Sequence, residues 1–392
     1  MGRVVGMAGE ARARSRLAPD LLEGARAAGL LAESANFLNA PEMMVGSALL
    51  AVGLAERAAN AAPVAAAYGM LGVAAGMGRL HGVARRYLDL ARELSRAADD
   101  PYQLGVAWFY TGLYYGCIGD WDASEDAARR ALELTEHLGA HMQSGFEQTL
   151  IASNALYTSE YATARQLMHT VRTRAERSAN VQQLGWSCNV VSVADLHQRR
   201  FAEAVALSEQ SRQIFMAERD LVSLIIAEGV QCAALAHAGQ LDEAVAGARR
   251  ATQLIAGARP TTWGQLEGFA GPCEVFAIAM ARDASAVPAL QPLANKALAG
   301  LRMFAMIFPF GSARYQWIRG MYAIASGREA SARRHLREAL ACAHRFRMPF
   351  EELRASTLAL SLVDGAERDE LSARAPALES QVANGRPIER AR

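Results

Sequence analysis

Lysine is all but missing. Lys and Arg together number 41, yet Lys296 is the only lysine, so arginine carries the positive charge. Against 40 acidic residues the formal net charge is +1. A balance so close to zero gives no support to nucleic acid or an anionic membrane as a partner. We read the arginine bias as the codon usage of a GC-rich bacterial genome. Cysteine is scarce too: Cys117, Cys188, Cys232, Cys273 and Cys342 lie far apart, with no C-x-x-C pair. An odd, scattered set argues against a secreted disulfide framework and against a structural zinc site. It fits free thiols buried as small apolar groups. The N-terminus, Met1-Gly2-Arg3-Val4-Val5-Gly6, lacks the apolar stretch of a signal peptide. Ala58 to Gly78 is uncharged and long enough to raise the question of a membrane span. It is rich in Ala and Gly and carries Asn60 and Pro63, which favours a packed helix of a cytoplasmic protein.

Motifs for chemistry are missing as well. There is no G-x-x-x-x-G-K-[S/T], no H-E-x-x-H and no G-x-S-x-G. Gly69, Gly72, Gly76 and Gly78 form a glycine-rich run in a helical context, which suits close helix packing better than a nucleotide loop. His137 and His141 have metal-ligand spacing for a continuous helix, but Gly139 between them predicts a helix end and two surface histidines. Asp99-Asp100 and Glu351-Glu352 stand at predicted helix starts, where they complement the helix dipole. Arg333, Arg334 and Arg337 read as a solvated face. No metal and no cofactor is expected.

What the chain does have is a period. Leu80-His81-Gly82-Val83-Ala84, Asp120-Trp121-Asp122-Ala123-Ser124, Glu160-Tyr161-Ala162-Thr163-Ala164, Arg200-Phe201-Ala202-Glu203-Ala204 and Gln240-Leu241-Asp242-Glu243-Ala244 recur every 40 residues. Each has a large side chain, two linking residues and a small residue. Helical periodicity runs from about Pro19 to Val382, while the alternation of strands is nearly absent. Gly119, Gly139, Gly239 and Gly327 sit where a left-handed residue would end a helix. In the unit from Tyr102 to Leu138, Ala127, Ala131 and Leu134 share one face. Glu125–Arg129 and Asp126–Arg130 form acid-first i,i+4 pairs on the other. A fixed period of this length predicts stacked helical hairpins that bury a core between neighbours and offer a binding surface.

Trp108-x-x-Thr111-Gly112-x-x-Tyr115, with Ala131 in the second helix, resembles the tetratricopeptide pattern of Trp, two residues, Leu-Gly, two residues, Tyr. Gly320, Gly327, Ala332 and Ala339 repeat the spacing of Gly112, Gly119, Ser124 and Ala131. The resemblance covers most of Ala65 to His344. It departs in its longer period, in Thr111 for leucine, and in a weak match over Gly257 to Pro309. The long units, with Leu50 to Ala58 and His81 to Leu88, also resemble the helical C-terminal region of bacterial proteins that join a class III nucleotidyl cyclase, or a protein kinase, to an AAA-type signalling ATPase.

The resemblance implies an all-α, tetratricopeptide-like superhelix of about eight antiparallel hairpins over residues 17–383, with flexible tails at 1–16 and 384–392. It places first helices along a concave groove. On that mapping the groove carries Phe109 from one unit, Phe146, Thr149 and Tyr157 from the next, and Trp186, Asn189 and His197 from the third. These are the expected contacts for a protein or peptide ligand. The Asn and Lys clamp of chaperone-binding tetratricopeptide domains has no match, because Phe109, Leu113, Thr149 and Ser153 stand there. The expected function is a non-catalytic interaction scaffold or sensor module in bacterial signalling. Its partner would be a cyclase, kinase or AAA-type ATPase. The alternatives are a stand-alone or separated regulatory region of such a system, or an enzyme built on His197, His237 and nearby acids.

Overall fold

The computed structural model describes residues 2–58 and 65–384, with side chains from residue 18 onward. The tail expected over 384–392 lies, but for Asn384, outside the described residues, as do the side chains of the tail expected over 1–16. Among the described residues every regular element is helical. The helices are α1 (Gly2–Phe37), α2 (Pro41–Arg57), α3 (Ala65–Met77), α4 (His81–Ala97), α5 (Pro101–Ile118), α6 (Trp121–His137), α7 (His141–Tyr157), α8 (Tyr161–Ser178) and α9 (Val181–His197). They continue as α10 (Phe201–Glu218), α11 (Leu221–His237), α12 (Leu241–Gly257), α13 (Leu266–Arg282), α14 (Val287–Ile307), α15 (Ser312–Ala325), α16 (Glu329–Arg345), α17 (Pro349–Ala359) and α18 (Gly365–Asn384). Among the described residues of Ala58 to Gly78 the helix is α3, which is shorter than the ~20 residues a membrane span needs; residues 59–64 lie outside the described residues. No described helix is long and apolar enough to cross a membrane.

Local chemistry sets the helix ends. Left-handed residues stand at 79, 99, 119, 139, 159, 179, 199, 219 and 239, one in each turn from α3 to α12. Gly119, Gly139 and Gly239 take that conformation freely, whereas Arg79, Asp99, Ser159, Ala179, Arg199 and Arg219 adopt it against a side-chain clash. Asp100, Asn180 and Asp220 cap α5, α9 and α11 by accepting the backbone N–H three residues on. The aligned small residues mark close helix approach: Ala84, Ser124, Ala164, Ala204 and Ala244 are all buried. Ser124 Oγ donates to the Gly112 carbonyl at 2.7 Å, tying α6 to α5.

The backbone divides into two compact units, residues 1–117 with 122–147, and residues 118–121 with 148–392. In the first, α1–α2 and α3–α4 pack as neighbours around an alanine-rich core that includes Ala25, Ala51, Ala65 and Tyr68. In the second, the crossing of α11 and α13 is the tightest. A Cβ on Gly229 would meet the Glu267 carbonyl at 2.4 Å, and one on Gly271 would meet the Gly229 carbonyl at 2.2 Å. Only glycine lets the two backbones touch, and that contact fixes the height and rotation of α13. Residues 258–262 are not helical, and a short 3-10 turn at Trp263–Gln265 leads into α13. This is where the sequence pattern weakens.

Candidate functional site

The second unit holds a ladder of aromatic and charged side chains around α13. Three helices end on a large polar ring: α7 on Tyr157, α9 on His197 and α11 on His237. Each ring meets the first residue of a helix 36 positions earlier. Trp121 stacks on Tyr157 at 4.9 Å, Tyr161 meets His197 edge-on at 5.8 Å, and Phe201 stacks on His237 at 5.2 Å. The polar end of each ring is then taken by the segment entering or forming α13. Tyr157 Oη donates to the Trp263 carbonyl at 2.6 Å. His197 Nε2 lies 2.8 Å from Glu267 Oε1, and His237 Nε2 lies 2.7 Å from Glu274 Oε1. Glu267 and Glu274 are two turns apart, so one face of α13 serves both histidines.

The opposite side supplies the cations. Arg314 of α15 is fully buried. It donates from Nη1 and Nη2 to Glu267 at 2.8 Å each, and from Nε and Nη2 to Glu351 of α17 at 2.8 and 2.6 Å. Arg354 of α17 pairs with Glu274 and lies over the Trp317 ring at 3.7 Å. Phe350 stacks on His197 at 3.7 Å and covers it.

Burial alone would raise the Glu267 carboxyl. The Arg314 charge and the His197 hydrogen bond outweigh it and hold Glu267 far below the usual carboxylate range. Glu274 is likewise held down, at about 2, because Arg354 and the His237 hydrogen bond override its burial. For Arg314, desolvation opposes the cation, but Glu267 and Glu351 keep it charged. A His–Glu pair is the arrangement of a general base with an orienting carboxylate. Here His197 also has Nδ1 against the Tyr161 hydroxyl at 3.2 Å and its face against Phe350, so both ring nitrogens are engaged. The ladder is suited to locking helix ends together, since a buried charge keeps its ionised form only when its partners are fixed.

Of the residues placed in a groove by sequence, Tyr157 and His197 come together in this ladder. Asn189 is buried at the α9–α10–α11 junction, where Nδ2 donates to the Ser223 carbonyl at 3.0 Å and Oδ1 accepts from Ser211 at 2.7 Å. Trp186 is buried and Thr149 half-buried. Phe109 and Phe146 lie in the other unit, ring on ring at 5.8 Å, with Tyr110 beside Phe109 at 5.4 Å. Sequence reasoning missed Glu267, Glu274, Arg314, Phe350 and Arg354. The available signal was a pair of acids seven apart in the otherwise apolar stretch of α13. Glu351 and Glu352 do stand in the first turn of α17, yet their carboxylates bind Arg314 and Arg374, which is more than a dipole role. Four of the five free cysteines are buried as expected, Cys117, Cys188, Cys232 and Cys273, whereas Cys342 is half-buried; burial raises all five thiols. Neither a protein-family model nor a curated protein sequence matches the chain.

Proposed function

We propose that this protein is a non-catalytic interaction scaffold or sensor module, built as a tetratricopeptide-like array with a 40-residue unit. The helix starts at His81, Trp121, Tyr161, Phe201 and Leu241 and the evenly placed turns support the array. One observation carries the interaction reading. The α1–α2 hairpin presents Leu30, Leu31, Leu38, Met43, Leu49 and Leu50 at 40–65% exposure. Isolated surface leucines are ordinary, but six large apolar side chains gathered in one hairpin are the mark of a protein contact. Phe109 and Phe146, both half-buried, belong to the same unit. The His197–Glu267 pair of the second unit is enclosed by its own partners, which favours a structural role over turnover there. The sequence resemblance points to a cyclase, kinase or AAA-type ATPase of a bacterial signalling system as the partner class.

The test is affinity capture from the native bacterium with the wild-type chain, with Leu30→Glu/Leu50→Glu, and with Phe109→Ala. A partner held by the wild type and lost by the double variant at unchanged melting temperature supports the reading. Equal capture by all three refutes the surface. The isolated chain is expected neither to form cyclic nucleotides nor to hydrolyse ATP. Turnover by purified protein that one point substitution abolishes would overturn the scaffold reading.

A further inference from the structure

A cleft of about 240 Å³ opens among α13, α14, α15 and the start of α16. None of its lining residues is acidic, and Arg319, Arg328 and His335 all face it. Neither arginine has a carboxylate partner among the described residues: Arg319 rests on the Tyr315 ring at 5.7 Å, and Arg328 is exposed. The nearest acid of the turn, Glu329, is drawn to Arg333 at 3.1 Å. Such unpaired guanidinium groups around a concave surface are poised for an anion, because Arg offers planar, paired donors to carboxylate and phosphate.

A second feature points the same way. The cleft lies at the N-terminus of α16, where Arg328 is the N-cap residue and makes no side-chain cap, and Ser331 of the first turn lines the wall. The first-turn N–H groups have no intrahelical acceptor and carry the positive end of the helix dipole. His335, one turn further on, is buried, with Nδ1 against Gln316 Oε1 at 2.9 Å. Burial and the charges of Arg319 and Arg334 push the imidazole down, with Glu338 acting in the opposite sense. The remaining wall is apolar, from Met280, Val287 and Leu298, with the Gln291 and Asn295 amides at the rim.

We infer that this cleft binds a small organic anion, a carboxylate or phosphate monoester with a short apolar tail, its head between Arg319, Arg328 and the α16 N-terminus and its tail against Val287 and Leu298. The volume lies below the usual span of drug-sized sites, about 300–1,000 Å³, which fits a compact ligand. The site is in the second unit and does not depend on the α1–α2 surface.

Calorimetry with butyl phosphate, pentanoate and neutral pentanamide tests it on the full chain. NMR of the His335 ring is recorded alongside. Saturable binding of either anion but not the amide, with the His335 resonance moving toward the imidazolium, supports the inference; which anion binds identifies the head group. Arg319→Gln and Arg328→Gln should each weaken binding by about tenfold or more, with unchanged melting temperature because neither arginine holds an ion pair. No saturable binding of either anion, or binding that the combined Arg319→Gln/Arg328→Gln variant leaves intact, overturns it. Partner capture through Leu30 and Leu50 is scored separately, so the two readings fail independently.

Discussion

Replacing Glu147 by glutamine should stabilise the protein, and the gain should depend on pH. Glu147 of α7 is fully buried and has no cation beside it. Its Oε2 accepts from the Thr135 hydroxyl of α6, and its Oε1 accepts from Gln143 Nε2 at 3.3 Å. Burial is the largest influence and lifts the carboxyl from 4.5 to about 8, although the two hydrogen bonds pull the other way. The folded protein therefore holds a proton at pH 7 that the unfolded chain releases. A raised carboxyl gives its full stability below the unfolded value and loses it as pH climbs to the folded one. At pH 7 that loss is about 3 kcal/mol, and at pH 5 it is under about 1 kcal/mol. Glutamine keeps the shape, can donate to Thr135 and accept from Gln143, and does not titrate. Urea unfolding of wild type and Glu147→Gln between pH 5 and 8.5 should show a difference that widens by about 1.4 kcal/mol per pH unit and levels off near pH 8. Parallel curves would refute the buried, unpaired carboxyl.

Other substitutions separate close packing from open space. Gly268→Ala would drive its Cβ into the Ile225 carbonyl at 2.6 Å and should cost at least about 1–3 kcal/mol in chemical denaturation. Gly46→Ala, with nothing within 4 Å inside α2, should gain about 0.5–1 kcal/mol. Ala204→Trp and Ala244→Trp each overpack a fully buried site and should cost about 1–3 kcal/mol; unchanged thermal midpoints for both would mean that these alanines are not packed. Arg314→Met leaves Glu267 and Glu351 without their cation and should cost about 3–5 kcal/mol. Arg129→Ala, which breaks only the exposed pair with Glu125, should change calorimetric stability by less than about 0.5 kcal/mol.

The all-helical class was legible because it rests on local spacing. Apolar periodicity and the glycines at 119, 139, 239 and 327 mark helix bodies and ends, and each of those glycines has a positive φ. Glycine alone would have missed the turns at Arg79, Asp99, Ala179 and Arg219, where the length of the unit places a left-handed residue despite its side chain. Trp121, Tyr161 and Phe201 open their helices, and Tyr161 packs with Ala152, Ala155 and Leu156 of the helix before it. All three also meet the rings that end the helices that follow, a pairing 36 residues apart that the repeat alone does not announce. The ladder itself was hidden for a related reason. Glu267 reaches back 70 residues to His197 and forward 47 to Arg314, and no local pattern encodes a pairing at such distances.

Trp121 Nε1 donates to the Phe346 carbonyl at 2.7 Å, across 225 residues of chain. Near the same end of the sequence, Gln198 Nε2 donates to the Ala383 carbonyl of α18 at 2.8 Å. A linear array of hairpins can nucleate anywhere and lose its ends one unit at a time. These contacts close the second unit into a loop, and closing a loop of that length is an entropic barrier that local helix formation cannot bypass. Folding of this unit then waits for α16 to α18. Trimming from the C-terminus should not yield a shorter, stable array. It should unmake the unit as a whole.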